Sequence, residues 1–215
     1  MNRALVSEGL GTALLVAAVV GSGIMADRLT DDVALSLLAN TIATGAALFM
    51  LIGVFGPVSG AQFNPIVTLV FWLKREMTAS KAIGFVIAQC AGGIIGTWAA
   101  HAMFDLPILQ ISTTVRTGGA QWFSEGIASF GLIIAILGGI AARVNVAATV
   151  ACYITAAYWF TASTSFANPA VALARALTDT FAGIRPIDLP AFWVAQIIGA
   201  LAALALGRWL FVENK

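Results

Sequence analysis

Charged residues are scarce in this chain. Lysine and arginine total 11, aspartate and glutamate total 10, and together they make up 10% of 215 residues, with a formal net charge of +1. A soluble domain carries about 25% charged residues. Since 60% of the residues are hydrophobic, the composition predicts an all-α integral membrane protein embedded in a lipid bilayer. The balanced charge excludes a nucleic-acid partner.

Residues that bind metals or carry out nucleophilic chemistry are equally scarce. The sequence has two cysteines, Cys90 and Cys152, and one histidine, His101. The cysteines lie inside apolar runs and the histidine has no second ligand near it, so we expect no disulfide, metal site or cofactor. There is no activated Ser/His pair and no Gly-x-Ser-x-Gly motif, so we do not expect an enzyme.

Long apolar runs predict six transmembrane helices. These runs lie at about 5–26, 36–55, 80–103, 122–142, 146–163 and 188–212. Six spans place both termini on one side of the membrane, and seven of the eleven lysines and arginines fall on that side. Positive residues favour the cytoplasmic side, so we expect cytoplasmic termini in a cell inner (plasma) membrane.

Two shorter apolar segments begin with the same dipeptide, Asn64-Pro65 and Asn168-Pro169. Asparagine is a favoured helix cap, and proline is favoured at the first helical position. The helices predicted at about 64–73 and 168–178 are roughly 15 Å long, half of a bilayer core. We therefore predict two re-entrant half-helices that enter from opposite faces and meet at their N-termini.

The two halves of the sequence resemble each other. Glu8-Gly-Leu-Gly-Thr12 parallels Glu125-Gly-Ile-Ala-Ser129, and the two Asn-Pro segments occupy matching positions. Each half contains three spans, so the second copy must be inverted relative to the first. We predict a single channel-like domain, 1–215, built from an inverted 3+3 repeat of about 1–105 and 120–215.

The two asparagines suggest a mechanism. Each side chain can cap its half-helix through its oxygen while its amide N–H groups point at a passing solute oxygen, and the two helix N-termini repel cations. Extended segments at 56–63 and 161–167 are expected to line the path. Glu8 and Glu125 lie within spans, where they either relay protons or accept N–H groups from these segments.

These features together resemble the aquaporin and aquaglyceroporin family. The resemblance rests on the two Asn-Pro boxes, the Glu-x-x-Gly-Thr opening and Ser-Gly-Ala-Gln-Phe-Asn-Pro-Ile-Val-Thr, and it covers nearly the whole chain. It implies an aquaporin-like bundle with one pore per protomer, a homotetramer, and passage of water or small neutral solutes.

The resemblance also implies which residues form the pore, and the sequence departs from the family at two of them. The boxes are Asn64, Pro65 and Ile66, and Asn168, Pro169 and Ala170, with Ile66 where alanine is usual. By family spacing, the selectivity filter falls at Thr44, Ala156, Ser165 and Val171. Position 171 normally holds arginine. The segment from Asn168 to Gly183 is similar to a bacterial subgroup of the family that lacks this arginine and is associated with arsenic resistance. Family resemblance also favours a loop-supporting role for Glu8 and Glu125.

Small filter side chains predict a pore wider than a water-selective one. We therefore expect a passive channel for glycerol-like polyols, metalloid acids such as arsenite, and water, which excludes ions and protons at the boxes. An ion-coupled secondary transporter and a strictly water-selective channel are alternatives. Because the filter arginine is absent, a cation-conducting channel is a further alternative. Arg175, one turn beyond Val171, is not assumed to replace that arginine.

Overall fold

The computed structural model describes residues 2–211. Within this range the chain forms eight α-helices: α1 Arg3–Leu29, α2 Val33–Ser59, α3 Pro65–Leu73, α4 Ala79–Met103, α5 Gly119–Ala141, α6 Val146–Phe160, α7 Pro169–Arg175 and α8 Leu189–Leu210. A single 3-10 turn, Pro186–Asp188, precedes α8. The described residues include no β-strand. The predicted all-α membrane fold, with short α3 and α7 between long helices, is confirmed.

Five helices, α1, α2, α4, α5 and α8, are long and apolar enough to cross a membrane. The sixth helix of the bundle, α6, has 15 residues and is about 22 Å long. It ends at Phe160, before the predicted end at 163, because the chain turns there: the carbonyl of Thr161 accepts the N–H of Thr164 at 3.1 Å. The residues that follow, 164–168, form neither helix nor strand, and Thr164, Ser165 and Ala167 have left-handed backbone conformations with positive φ.

Helix α2 is longer than the sequence predicts. It continues through Ser59, so the expectation that residues 56–59 are non-helical is wrong. The carbonyl of Gly56 accepts the N–H of Gly60 at 2.9 Å and closes a last helical turn. Gly60 then adopts φ +92°, a left-handed conformation that favours glycine and ends the helix. Only residues 60–64 connect α2 to α3.

Helix α7 is shorter than predicted, seven residues instead of the segment 168–178. Its terminal carbonyls are taken by other parts of the chain: the N–H of Ile184 donates to Arg175 and that of Ser112 donates to Ala176. Since these bonds replace the next helical hydrogen bonds, α7 ends at Arg175.

The two half-helices end at opposite ends of the bundle. The carbonyl at the end of α3, Leu73, accepts a bond from Arg208 near the end of α8 at 2.8 Å. The end of α7 instead contacts the connection 104–118, where Ser112 bonds to Ala176 at 2.9 Å. We call the end with Leu73 and Arg208 the terminus end and the end with Ser112 and Ala176 the loop end. Since α3 and α7 run apart toward the two ends, their N-termini face each other between them.

Glycines allow two pairs of helices to pack at backbone distance. Helix α4 crosses α1 where a Cβ on Gly92 would lie 2.1 Å from the Gly9 carbonyl oxygen. Helix α8 crosses α5 in the same way, and a Cβ on Gly199 would lie 2.1 Å from the Gly126 oxygen. Small residues permit this approach within lipid, where packing drives helix association. The same close contact thus occurs once in each half of the chain.

Replacing Gly199 by alanine should therefore separate α8 from α5. The added methyl meets backbone rather than a movable side chain, and overpacking of this kind costs about 1–3 kcal/mol, equivalent to a drop of roughly 5 °C in the unfolding midpoint. Thermal unfolding of the purified protein in detergent measures the shift. Gly119→Ala, whose Cβ has no atom within 4 Å, is the matched control, and an equal midpoint for both variants would contradict the packing argument.

Candidate functional site

The two Asn-Pro boxes are joined by a reciprocal pair of hydrogen bonds. Asn64 caps α3 by accepting the N–H of Ile66 at 3.0 Å, and its Nδ2 donates to the carbonyl of Ala167 at 2.8 Å. Asn168 caps α7 by accepting the N–H groups of Ala170 and Val171, and its Nδ2 donates to the carbonyl of Phe63 at 2.8 Å. Each box is thus fixed by the residue that precedes the other box.

These bonds use part of the donor capacity of each amide. An asparagine amide has two N–H groups, and one of them on Asn64 and on Asn168 is bonded to backbone. One N–H on each side chain is left for a solute. Both asparagines lie on the wall of the same cavity and are 5% exposed.

The residues before the boxes have left-handed backbone conformations. Phe63 has φ +49° and Ala167 has φ +45°, values that cost energy for residues with a side chain. Both the N–H and the carbonyl of each residue are hydrogen-bonded, to a glutamate and to the opposite asparagine. The surrounding polar groups therefore hold this conformation in place.

Two short connections precede the half-helices, residues 60–64 before α3 and residues 161–168 before α7. Glu8 supports the first of them. Its Oε1 accepts from Ser59 Oγ at 2.6 Å and from the N–H of Gln62 at 2.9 Å, and its Oε2 accepts from the N–H of Phe63 at 2.7 Å and from Gln89 Nε2 at 2.8 Å. The side chain is fully buried. A buried carboxylate is tolerated when its oxygens are satisfied in this way.

Glu125 occupies the matching place in the second repeat. Its Oε1 accepts from the N–H of Phe166 at 2.9 Å, and its Oε2 accepts from the N–H of Ala167 at 2.9 Å and from Gln196 Nε2 at 2.6 Å. Glu125 is also fully buried. The two carboxylates thus contact the two connections that carry the boxes, which is the arrangement required by the loop-supporting hypothesis.

A cavity of about 450 Å³, which we call the central cavity, passes both boxes. At the terminus end its wall includes Ile140 and Asn145, and at the loop end it includes Val171 and Arg175. One side is formed by the two connections and the asparagines. The other sides are mostly aliphatic, with Leu15, Val19, Leu48, Ile52, Leu132, Ile136, Val150 and Ile154. The cavity is therefore polar along one stripe and apolar around the rest.

Three of the four predicted filter residues lie on the wall of the central cavity: Thr44, Ser165 and Val171. The fourth expectation, Ala156, is wrong. Ala156 is exposed on the outer surface of α6, beside Phe49 and Cys152. Tyr158, two residues further on, faces the cavity instead and donates its hydroxyl hydrogen to Thr44 Oγ1 at 3.2 Å.

The structure places Ile66 away from the pore. Ile66 is 1% exposed and packs in the hydrophobic core, while its N–H bonds to the Asn64 side chain. Pro65 and Pro169 begin the two half-helices. Ala170 is fully buried behind the second box. Within the boxes, only the asparagines contribute to the cavity wall.

Sequence reasoning missed Tyr158, Gln89 and Gln196. The two glutamines end similar segments in the two halves of the sequence, Phe85-Val-Ile-Ala-Gln89 and Phe192-Trp-Val-Ala-Gln196. A buried amide recurring at matched positions, as the carboxylates do, is a signal that could have paired each glutamine with its glutamate. Nothing in the sequence separates Tyr158 from its neighbours on α6.

The residues considered for metal binding lie apart. His101 is fully buried and bonds through Nε2 to Thr178 Oγ1 at 2.8 Å and through Nδ1 to the carbonyl of Ile108 at 2.9 Å. Cys90 and Cys152 are free thiols. No cluster of three His, Cys, Asp or Glu residues occurs in the part of the chain that the structure describes. His101 thus serves to attach the loop-end connection.

That connection is also fixed by an aspartate. The Asp179 carboxylate accepts the N–H of Thr113 at 2.8 Å and its hydroxyl hydrogen at 2.9 Å. Hydrogen bonds from the Thr113 backbone and side chain lower the pKa of Asp179 below its ordinary value. The segment after α7 and the connection 104–118 are therefore joined at neutral pH.

Comparison with known proteins shows the family of this chain. The family model described as major intrinsic protein matches residues 1–147. The chain is 63% identical to aquaglyceroporin AqpS of Rhizobium meliloti over 211 residues, which cover 98% of this chain and 91% of the relative. It is 28% identical to aquaporin Z of Photorhabdus laumondii, with both chains fully covered.

A solved structure shares the fold. The X-ray structure of the aquaglyceroporin from Plasmodium falciparum matches with a TM-score of 0.72 at 20% identity, covering 98% of this chain and 96% of that chain. At this identity the match concerns the fold alone, and the sequence matches supply the family. The chain belongs to the major intrinsic protein family, whose members are passive membrane channels and not enzymes.

Proposed function

We propose that this protein is a passive channel for small neutral solutes, namely glycerol-like polyols, metalloid acids such as arsenite, and water. The observation that carries the proposal is the reciprocal bonding of Asn64 and Asn168 beside a continuous cavity. The 63% identity to a protein named aquaglyceroporin supports the same solute class. The channel acts in a cell inner (plasma) membrane, with both termini cytoplasmic, as a homotetramer.

The two asparagines orient a solute at the centre of the path. Each keeps one amide N–H that a solute oxygen can accept, and the starts of α3 and α7 add partial positive charge at the same place. A water or hydroxyl oxygen therefore accepts a hydrogen bond from each asparagine, and the hydrogen atoms on that oxygen point away from the boxes. A proton relay through this point is interrupted, and a cation meets repulsion.

The wall of the cavity suits a polyol. Hydroxyl groups on one edge of the molecule can bond to the stripe formed by the connections and the asparagines, while its carbon edge contacts side chains such as Leu15, Val19 and Ile136. An aliphatic wall lowers the cost of dehydrating carbon atoms.

The ion-coupled transporter is less well supported. Coupling requires a carboxylate that exchanges its partners for an ion. The oxygens of Glu8 and Glu125 accept bonds from the connections and from two glutamines, and neither residue lies on the wall of the central cavity. These carboxylates hold the boxes, and ion binding would release them.

A solute panel in reconstituted vesicles tests the proposed function. The rate at which vesicles shrink and reswell after an osmotic step measures solute permeation. We expect the permeabilities to glycerol and arsenous acid to be about fivefold or more above those of protein-free vesicles, and the permeability to water to rise as well. Permeability to water alone would contradict the polyol and metalloid proposal. Transport that saturates and follows an ion gradient would favour the transporter.

Val171→Arg provides a matched variant for the same assay. The added guanidinium narrows the cavity beside Thr44 and Ser165, so it should slow glycerol about fivefold while slowing water less than about twofold, because the larger solute loses more space. Size-exclusion chromatography confirms assembly of the variant. An equal effect on glycerol and water would show that position 171 does not discriminate by size.

A further inference from the structure

Arg175 is a charged side chain placed at the loop end of the central cavity. It lies one turn beyond Val171 on α7 and is 3% exposed. It forms part of the cavity wall together with Val171, Ser165 and Phe166. A buried guanidinium is costly unless its contacts are good, and the hydrogen bonds of Asn64 and Asn168 do not involve it.

Two contacts fix the Arg175 side chain. Its Nε donates to the carbonyl of Ala182, and its guanidinium carbon lies 3.5 Å from the centre of the Phe166 ring. A cation over an aromatic face is attracted by the ring. Phe166 is itself held by the bond from its N–H to Glu125 and by edge contact with Phe192 at 5.2 Å. The guanidinium therefore has a defined position at the cavity.

A hydroxyl without a partner lies on the wall of the same cavity. Ser165 precedes Phe166, lines the same cavity and is 3% exposed, and its Oγ has no hydrogen-bond partner among the described residues. Buried polar atoms are almost always bonded, so an unpaired one requires an explanation. Thr44 Oγ1, which accepts from Tyr158, adds a further hydroxyl to this end of the cavity.

We infer that Arg175 and Ser165 form a solute-binding subsite at the loop end of the channel and that Arg175 is its cation-excluding residue. The guanidinium donates to an oxygen of a neutral solute, and the Ser165 hydroxyl makes a second bond to the same molecule. The subsite lies one helical turn beyond the position where the family usually has its arginine. This inference rests on the proposed function, since it names a specificity-determining residue of that channel.

The charge is close enough to the boxes to matter there as well. Arg175 follows Asn168 by seven residues, which is about 10 Å along a helix. A unit charge at about 10 Å, with an effective dielectric constant of about 20, changes the permeation of a monovalent cation on the order of tenfold. Arg175 thus raises the barrier at the boxes in addition to guarding the loop end.

Guanidinium and urea are suitable probes because they have nearly the same shape and differ in charge. The ratio of their permeabilities in reconstituted vesicles reports the charge barrier separately from pore size. Arg175→Gln removes the charge and keeps a donor for the Ala182 carbonyl. Arg116→Gln is the matched control, since Arg116 also lies over the Phe166 ring, at 5.1 Å, and its Nε bonds to the Gly183 carbonyl, but it is not on the cavity wall.

We expect Arg175→Gln to raise the guanidinium-to-urea ratio by about tenfold, whereas Arg116→Gln changes it by less than about twofold. The inference is overturned if the Arg175→Gln protein assembles, passes urea, and has the same guanidinium-to-urea permeability ratio as the wild type. An equal rise in both variants also overturns it, because the effect would then come from the net charge of the loop end.

Arg175→Lys is the variant to test if Arg175→Gln does not assemble. Lysine keeps the charge and the aliphatic stem over Phe166, but it lacks the planar set of donors. We expect the guanidinium-to-urea ratio to stay near the wild-type value and glycerol permeation to fall about threefold or more. Glycerol permeation equal to wild type overturns the subsite. Wild-type vesicles that do not pass glycerol at all would instead count against the proposed function, which separates the two failures.

Discussion

Replacing Glu125 by glutamine is expected to lower glycerol permeation by about tenfold or more. The Glu125 carboxylate accepts the N–H groups of Phe166 and Ala167 and the amide of Gln196. Glutamine has an NH2 group in place of one carboxylate oxygen, so its N–H groups would face one of these N–H donors without an acceptor between them. Each unsatisfied buried group costs about 1–3 kcal/mol, and each lost bond to a charged acceptor costs a similar amount.

The cost falls on the segment that positions Asn168. Ala167 has a left-handed backbone conformation and its carbonyl accepts the Asn64 amide, so release of its N–H disturbs both boxes. Stopped-flow light scattering of vesicles with equal amounts of folded protein measures the effect. Glu76→Gln, which removes a carboxylate paired with Lys74 on the surface, is the control. Wild-type permeation in Glu125→Gln would show that the carboxylate does not hold the box.

Replacing Asn168 by aspartate is expected to convert the central barrier into a cation site. Aspartate can still cap α7 by accepting the N–H groups of Ala170 and Val171, but an ionised carboxylate cannot donate to the Phe63 carbonyl. A charge about 4 Å from a passing cation, with an effective dielectric constant near 20, changes its energy by about 4 kcal/mol. We expect the guanidinium-to-urea permeability ratio to rise about hundredfold at neutral or mildly basic pH, allowing for the lost cross-bond.

Asn145 offers a close control for this variant. It also caps a helix, accepting the N–H of Ala148 at 3.1 Å, and it also lies on the wall of the central cavity. It stands at the terminus end, beyond the facing starts of α3 and α7. Asn145→Asp should therefore change the ratio less than about tenfold, because a charge at the terminus end is farther from the boxes and is screened by water. Equal effects of the two variants would contradict a barrier located at the boxes.

The parts of the fold that sequence predicts are those encoded by local chemistry. Asn64-Pro65 and Asn168-Pro169 predict helix starts because an asparagine cap and a proline at the first position act over a few residues. Glu8 and Glu125 within apolar runs require partners wherever they lie. The structure supplies those partners from the two connections that precede the boxes.

The prediction for α6 failed for a geometric reason. Successive residues of a helix are rotated by about 100°, so the side chains of Ala156 and Tyr158 point roughly 200° apart. Nothing in the apolar sequence of α6 fixes its rotation, which depends on packing against α2 and α5. The end of α2 was missed similarly, because Gly56 permits a bend but does not require one, and the turn occurs at Gly60.

The role of Arg175 also depends on tertiary structure. Its position one turn beyond Val171 is readable from the sequence, but the direction of its guanidinium is set by Phe166 and by the carbonyl of Ala182. Both belong to segments that approach α7 only after folding. Sequence spacing could therefore show that a cation was near, and the structure was needed to place it at the cavity.

In the proposed channel, α3 and α7 meet at their N-termini, and Asn64 and Asn168 let neutral solutes pass while protons are stopped. Simultaneous recording of glycerol uptake by light scattering and of internal pH by a trapped dye, in vesicles with an imposed pH gradient, tests it most directly. We expect glycerol permeation about fivefold or more above that of protein-free vesicles, with pH equilibration at the rate of those vesicles. Glycerol permeation no faster than in protein-free vesicles, or pH equilibration accelerated along with glycerol, would contradict it.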